Sequence, residues 1–127
     1  MIDHVSVPVR DLATATAFYR NLLAPLGLDQ LVARAATVGF GKRYPEFWLN
    51  LRPQHVPVDN PGAHVCLRAP DEQAVRDFHR LALEMGAADE GAPGLREATM
   101  TTYFGAFIID RDGNKIEAVT FNRPSTS

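Results

Sequence analysis

The chain has 127 residues, 46% hydrophobic and 22% charged, with 13 basic against 15 acidic side chains and a net charge of −2. This is enough for one domain, 1–127, with a real core, and the even charge balance excludes a basic field for nucleic acid or an anionic membrane. The single cysteine, Cys66, has no disulfide partner in the chain, which points to the cytoplasm. "MIDHVSVPVRDL" is charged too early for a secretory leader, and no apolar run approaches the roughly 20 residues of a spanning helix.

The first expected element is a strand opening at His4 and running through "VSVPV". Asp11 is a suitable N-cap for a helix whose apolar stripe is Leu12, Ala15, Phe18, Tyr19, Leu22 and Leu23, ending by Gly27. "QLVARAA", "TVGFG" and "FWLNLR" then read as three strands, completing a first module over about 1–52. "RPQHVPVDNPGA" holds three prolines and reads as a connector, about 53–62. The second module, about 63–122, opens with a strand at His64. Asp71 caps a helix with the stripe Val75, Phe78, Leu81, Ala82 and Met85, and Gly86 stops it. "GAADEGAPGLRE" reads as a glycine-rich loop, and "YFGAFII" and "KIEAVTF" as strands joined by the Asp-Gly turn of "DRDGN". Residues 123–127 close the chain as a tail, the end of a frayed "NRPSTS".

The two modules are related. A constant shift of sixty aligns His4 with His64, Val5 with Val65, Asp11 with Asp71, Phe18 with Phe78 and Arg20 with Arg80. Five identities without a gap in seventeen positions mark a duplicated supersecondary unit. Strand side chains alternate between faces. His4 therefore opposes Val5, Val7 and Val9; His64 and Cys66 oppose Val65 and Leu67; Trp48 and Asn50 oppose Phe47 and Leu49; and Glu117 opposes Ile116 and Ala118. The apolar faces suit packing under the helices. The opposite faces carry imidazole, indole, amide and carboxylate groups, the lining of a ligand cup. Asn50 and Glu117, each near the end of its module's last strand, read as equivalents at an offset of 67.

The stretches "IDHVSVPVRDLATATAFYRNLLAPLGL", "HVCLRAPDEQAVRDFHRLALEMGA" and "YFGAFIIDRDGNKIEAV" resemble the vicinal oxygen chelate superfamily, which includes glyoxalase I, extradiol dioxygenases and bleomycin- and fosfomycin-resistance proteins. The resemblance implies an α+β fold of two βαβββ modules, a curved mixed sheet around a cup, and one divalent metal: Fe, Mn, Ni, Co or Zn. Carried over residue by residue, it implies His4, His64 and Glu117 as metal ligands. Two imidazoles and a carboxylate leave coordination positions open for a substrate that chelates through adjacent oxygens. Glyoxalase I has a carboxylate where Asn50 stands. Asparagine is no base near neutral pH, so Asn50 is a weak fourth ligand or a substrate contact.

Trp48, Arg52, Tyr103 and Phe107 are the candidate pocket residues; Arg52 and Arg68 either clamp a carboxylate or face water, Arg96 in "PGLRE" falls on a loop over the cup, and Cys66, on the face of His64, reads as a small buried residue. His55 falls in the connector and His79 on the second helix, matching Tyr19. Two functions stay open at this point. One is a metal-dependent enzyme with lyase or isomerase (glyoxalase-like) or extradiol dioxygenase chemistry. The other is a non-catalytic protein that sequesters an aromatic drug or metabolite in the same cup. A small-molecule substrate and a homodimer are the expected partners.

Overall fold

In the computed structural model, which describes residues 1–98 and 100–121, each half of the chain builds a strand, a helix and three further strands. The first half contains β1 (Val5–Val9), α1 (Leu12–Leu23), β2 (Asp29–Ala33), β3 (Thr37–Gly41) and β4 (Phe47–Leu51). The second contains β5 (Val65–Arg68), α2 (Glu72–Glu84), β6 (Ala88–Glu97), β7 (Thr102–Ile109) and β8 (Lys115–Thr120). The sheets run β1-β4-β3-β2 and β5-β8-β7-β6. In each, the first and last strands of the module pair in parallel and the others antiparallel. This is the expected α+β pair of βαβββ modules. Among the described residues the mixed sheet is present as two four-stranded sheets with no strand pairing between them. None of the described helices is long and apolar enough to cross a membrane.

Local chemistry places the helices as the sequence implies. The Asp11 carboxylate accepts the Thr14 amide at 3.1 Å and Asp71 accepts that of Ala74 at 2.8 Å, each satisfying an orphan donor of the first turn. A short 3-10 turn, Ala24–Leu26, extends α1 to Gly27, whose φ of +78° makes the left-handed exit. One expectation is corrected. The glycine-rich segment 86–97 is not a loop; most of it is β6, paired with β7. β6 lies at the edge of its sheet, where Pro93 can lack an amide hydrogen. Register shifts at Asp89/Gly91 and Gly91/Gly94 absorb the glycines as bulges. The tail at 123–127 lies outside the described residues.

The apolar stripes meet in one continuous core. α1 buries Phe18, Tyr19, Leu22 and Leu23 with Phe47 and Leu49, and α2 buries Val75, Phe78 and Ala82 with Ala106, Ile108 and Ile116. The two helices touch, and the Tyr19 ring lies 5.1 Å from that of Phe47.

The modules are also joined through the β7–β8 turn. Asp110 is 8% exposed. One of its oxygens accepts the amides of Asp112 and Asn114, both at 2.9 Å. The other accepts the Tyr19 hydroxyl at 2.5 Å and the Asn114 side-chain amide at 3.0 Å. Asn114 also donates to the carbonyl of Pro8 in β1 at 2.9 Å. Asp112 takes the Arg10 backbone amide at 3.0 Å and its guanidinium at 2.7 Å, while Arg10 also reaches the Arg111 carbonyl. His55 of the connector donates to the Asp112 carbonyl at 2.9 Å.

An Asp110→Asn variant turns an amide nitrogen toward two donors, so urea denaturation is expected to show a loss of about 1–3 kcal/mol, with about 1 kcal/mol for Tyr19→Phe. Burial holds the Asp110 carboxyl above its ordinary range, against the pull of its hydrogen bonds. The folded state therefore keeps this proton longer than the unfolded state, and its contribution fades as pH rises through the raised folded value. The stability gap between wild type and Asp110→Asn should narrow as pH rises through that interval. A gap that widens would contradict the assignment.

Candidate functional site

The face of the second sheet turned away from α2 is built by alternation. β5, with His64 just before it, supplies His64, Cys66 and Arg68. β8 supplies Lys115 and Glu117, and β7 supplies Tyr103, Gly105 and Phe107. The register sets Glu117 between Cys66 on one side and Phe107 on the other. Glu117 is only 5% exposed, and its Oε1 lies 3.0 Å from Nε2 of His64. The imidazole is 5.8 Å from the Phe107 ring, centre to centre.

Two further groups engage this carboxylate. Burial first, then the charge and hydrogen bond of Glu117, push the Cys66 thiol up to about 12. The Tyr103 phenol is raised by the same causes in the same order. Both therefore remain protonated donors near neutral pH. Cys66 reads in the sequence as a small buried residue, whereas it is exposed, with Glu117 as its register partner across β5 and β8. Its shared face with His64 was the available signal.

The first sheet places its candidates differently. Val5 pairs with Phe47 and Ser6 with Trp48, just as Val65 pairs with Ile116 and Cys66 with Glu117. The position equivalent to Glu117 is thus Trp48, not Asn50, an offset of 69. Asn50 pairs with Pro8, well along β1 from His4. The sequence offset misled because strand ends were aligned rather than strand registers. The Trp48 ring lies over Gly39, where a Cβ would come within 3.0 Å of it, and the Arg34 guanidinium sits 5.8 Å from the ring centre. Arg52 is exposed and donates to the carbonyl of Leu51.

The fold brings His64 and Glu117 together but does not bring His4 to them. His4 is 55% exposed, and its Nδ1 bonds Asp3 at 2.8 Å. Among the described residues no three His, Cys, Asp or Glu groups gather closely enough to hold a metal ion. A cavity of about 270 Å³ between the two halves is lined by His64 and Lys115 on one side and Ser6 and Pro8 on the other. His55 and His79 are committed elsewhere, to the Asp112 carbonyl and to the Asp89 carboxylate at 2.9 Å.

The donor chemistry of this half-site fits a divalent ion. Two ligands at about 2.1 Å from one ion and at right angles stand about 3 Å apart, the separation of His64 Nε2 and Glu117 Oε1. Asp3 was missed in the sequence. By accepting from Nδ1 it would fix the His4 tautomer and leave Nε2 free, the arrangement in which carboxylates orient metal-binding histidines.

The state of Cys66 gives a direct check. Its alkylation by iodoacetamide at pH 8 should be slower than that of a free thiol of pKa about 8.5, and Glu117→Gln should accelerate it. An equal or slower rate in the variant would show that Glu117 does not hold the thiol.

Residues 1–118 match the description Glyoxalase/Bleomycin resistance protein/Dioxygenase superfamily. No curated protein matches the sequence. Among solved structures, a glyoxalase/bleomycin resistance protein from Albidiferax ferrireducens is 29% identical, with a TM-score of 0.80 over 92% of this chain and 96% of its own. A glyoxalase/bleomycin resistance protein/dioxygenase from Alicyclobacillus acidocaldarius is 18% identical, with a TM-score of 0.66 over 97% and 92%. The fosfomycin resistance protein FosX from Listeria monocytogenes, 14% identical with a TM-score of 0.66 over 94% and 91%, shares the fold. With the family matched over nearly all of its length, this chain belongs to the glyoxalase/bleomycin resistance protein/dioxygenase superfamily.

Proposed function

We propose that this protein is a metal-dependent enzyme acting on a small molecule that chelates the metal through adjacent oxygens. In this reading His64 and Glu117 of one chain and His4 of a second copy hold the ion. The observation that carries it is the buried Glu117 carboxylate with the His64 Nε2 at 3.0 Å. Support for a second copy comes from His4, which is exposed and oriented by Asp3, and from Ile2 beside it, 80% exposed. Support for metal chemistry in this fold comes from a FosX variant from L. monocytogenes, described with Mn(II) and dihydroxypropylphosphonic acid.

When bound, the metal supplies a Lewis acid that polarises the substrate oxygens. The chain's own groups do the rest. Tyr103, kept protonated beside Glu117, donates a hydrogen bond toward the site, and Phe107 packs along one side of it. Trp48 stands where a second carboxylate would be, so the first module brings no general base. This leaves the His, His, Glu set of the dioxygenase-like reading better supported than proton shuttling of the glyoxalase type. A reducing, cytoplasmic setting suits the free thiol of Cys66.

Metal analysis of protein purified without chelator should find close to one ion per site, and His64→Ala or Glu117→Ala should weaken metal affinity at least about 100-fold. Asp3→Asn, which only loosens an orienting contact, should cost about 10-fold. A turnover screen would follow with catechols under oxygen and then glutathione hemithioacetals. Trp48 favours a second reading, sequestration of a planar ligand without catalysis. That reading prevails if the wild type binds no metal, yet binds planar aromatics and loses them in Trp48→Ala.

A further inference from the structure

The face around Glu117 holds more positive charge than its own structure uses. The positions of β5, β7 and β8 that share this face carry one carboxylate, Glu117, against Arg68 and Lys115, and Arg96 of β6 reaches over it, with the Asp89 carboxylate of β6 within range of the Arg96 charge. The Arg96 guanidinium lies 5.2 Å and the Lys115 ammonium 4.9 Å from the centre of the same Phe107 ring. The Arg68 guanidinium lies 5.0 Å from the Phe121 ring. Ion pairs among the described residues engage Arg10 and Arg80 but none of these three cations. The chain as a whole is net negative, so this local excess is a segregation of charge, and positively lined clefts concentrate anions.

Arg96 is also held in place. Its Nε donates to the Gly105 carbonyl at 3.3 Å and its Nη2 to the Ala92 carbonyl at 2.7 Å, while no described partner takes Nη1. The room for it comes from Gly91 at the β6 bulge, where a Cβ would stand 2.9 Å from Nη2 and 3.1 Å from the Phe107 ring. Two cations on one ring repel each other, and a ring quadrupole compensates a charge by only about 0.5–2 kcal/mol. A bound anion beside them offsets that repulsion and gains charge-assisted hydrogen bonds.

We infer that Arg96 and Lys115, flanking Phe107, form an oxyanion subsite beside the His64–Glu117 pair, so that the ligand of this protein carries a carboxylate or phosphoryl group. This deepens the proposed function by naming the substrate class, and it rests on that reading only for the location of the site.

The test uses metal-free, full-length protein, so that binding does not depend on a loaded metal. Titration calorimetry with malonate and with inorganic phosphate separates the carboxylate from the phosphoryl source. The wild type should bind one or both, more weakly as salt rises. Arg96→Met and Lys115→Met should each weaken that binding about tenfold, while Lys115→Arg keeps most of it. The same variants should take up metal as the wild type does, which separates this subsite from the metal reading. Failure of the wild type to bind either anion, or binding unchanged in both methionine variants, would overturn the inference whether or not metal is found.

Discussion

The arrangement of the whole molecule depends on one buried carboxylate accepting four donors. Asp110 sits in a turn of its own module, yet one of its partners, the Tyr19 hydroxyl, comes from the helix of the other. Its neighbour Asn114 spans to the β1 carbonyl of Pro8. A buried carboxylate with fewer partners would be a heavy liability; with all of them it fixes how the two modules meet. That junction also sets which edges are left open. Among the described residues β1 and β5 each stand at an edge of their sheet, paired on one side only, and the residues just before them, His4 and His64, face different surroundings.

The duplication explains both the symmetry and the asymmetry of the site. Each module presents a histidine at its first strand and a partner two residues along on the paired last strand. In the second module that partner is Glu117, and it draws in His64, Cys66 and Tyr103. In the first module it is Trp48, settled over a glycine and beside an arginine. One copy of the repeat therefore offers a charged acceptor and the other a flat apolar surface. In the proposed reading, metal grip falls to the Glu117 side and aromatic recognition to the Trp48 side.

Much of this was legible in the residues. Period-2 alternation put His64, Cys66 and Glu117 on the polar faces of their strands, and the aspartate caps and apolar stripes placed both helices, because these signals are local. The equivalence of Trp48 with Glu117 was not legible, since it depends on pairing register, which a count along the chain does not reveal. β6 was hidden because its glycines and proline read as a loop, whereas an edge strand tolerates them through bulges. The charge cluster at Phe107 was dispersed in sequence: Arg96 and Lys115 stand on different strands, and only folding sets them over one ring. The separation of His4 from His64 and Glu117 was equally invisible, because it follows from how the modules dock.

In the proposed reading the cation is gripped across two copies of the chain. Mixing a His4→Ala chain with a Glu117→Ala chain, with exchange of copies and metal analysis of the mixture, tests it most directly. Neither variant alone should retain metal, and the mixture should regain it, because mixed pairs rebuild one intact set of His4, His64 and Glu117. A mixture that stays as metal-free as its components, or a His4→Ala protein that keeps its metal unaided, would contradict it.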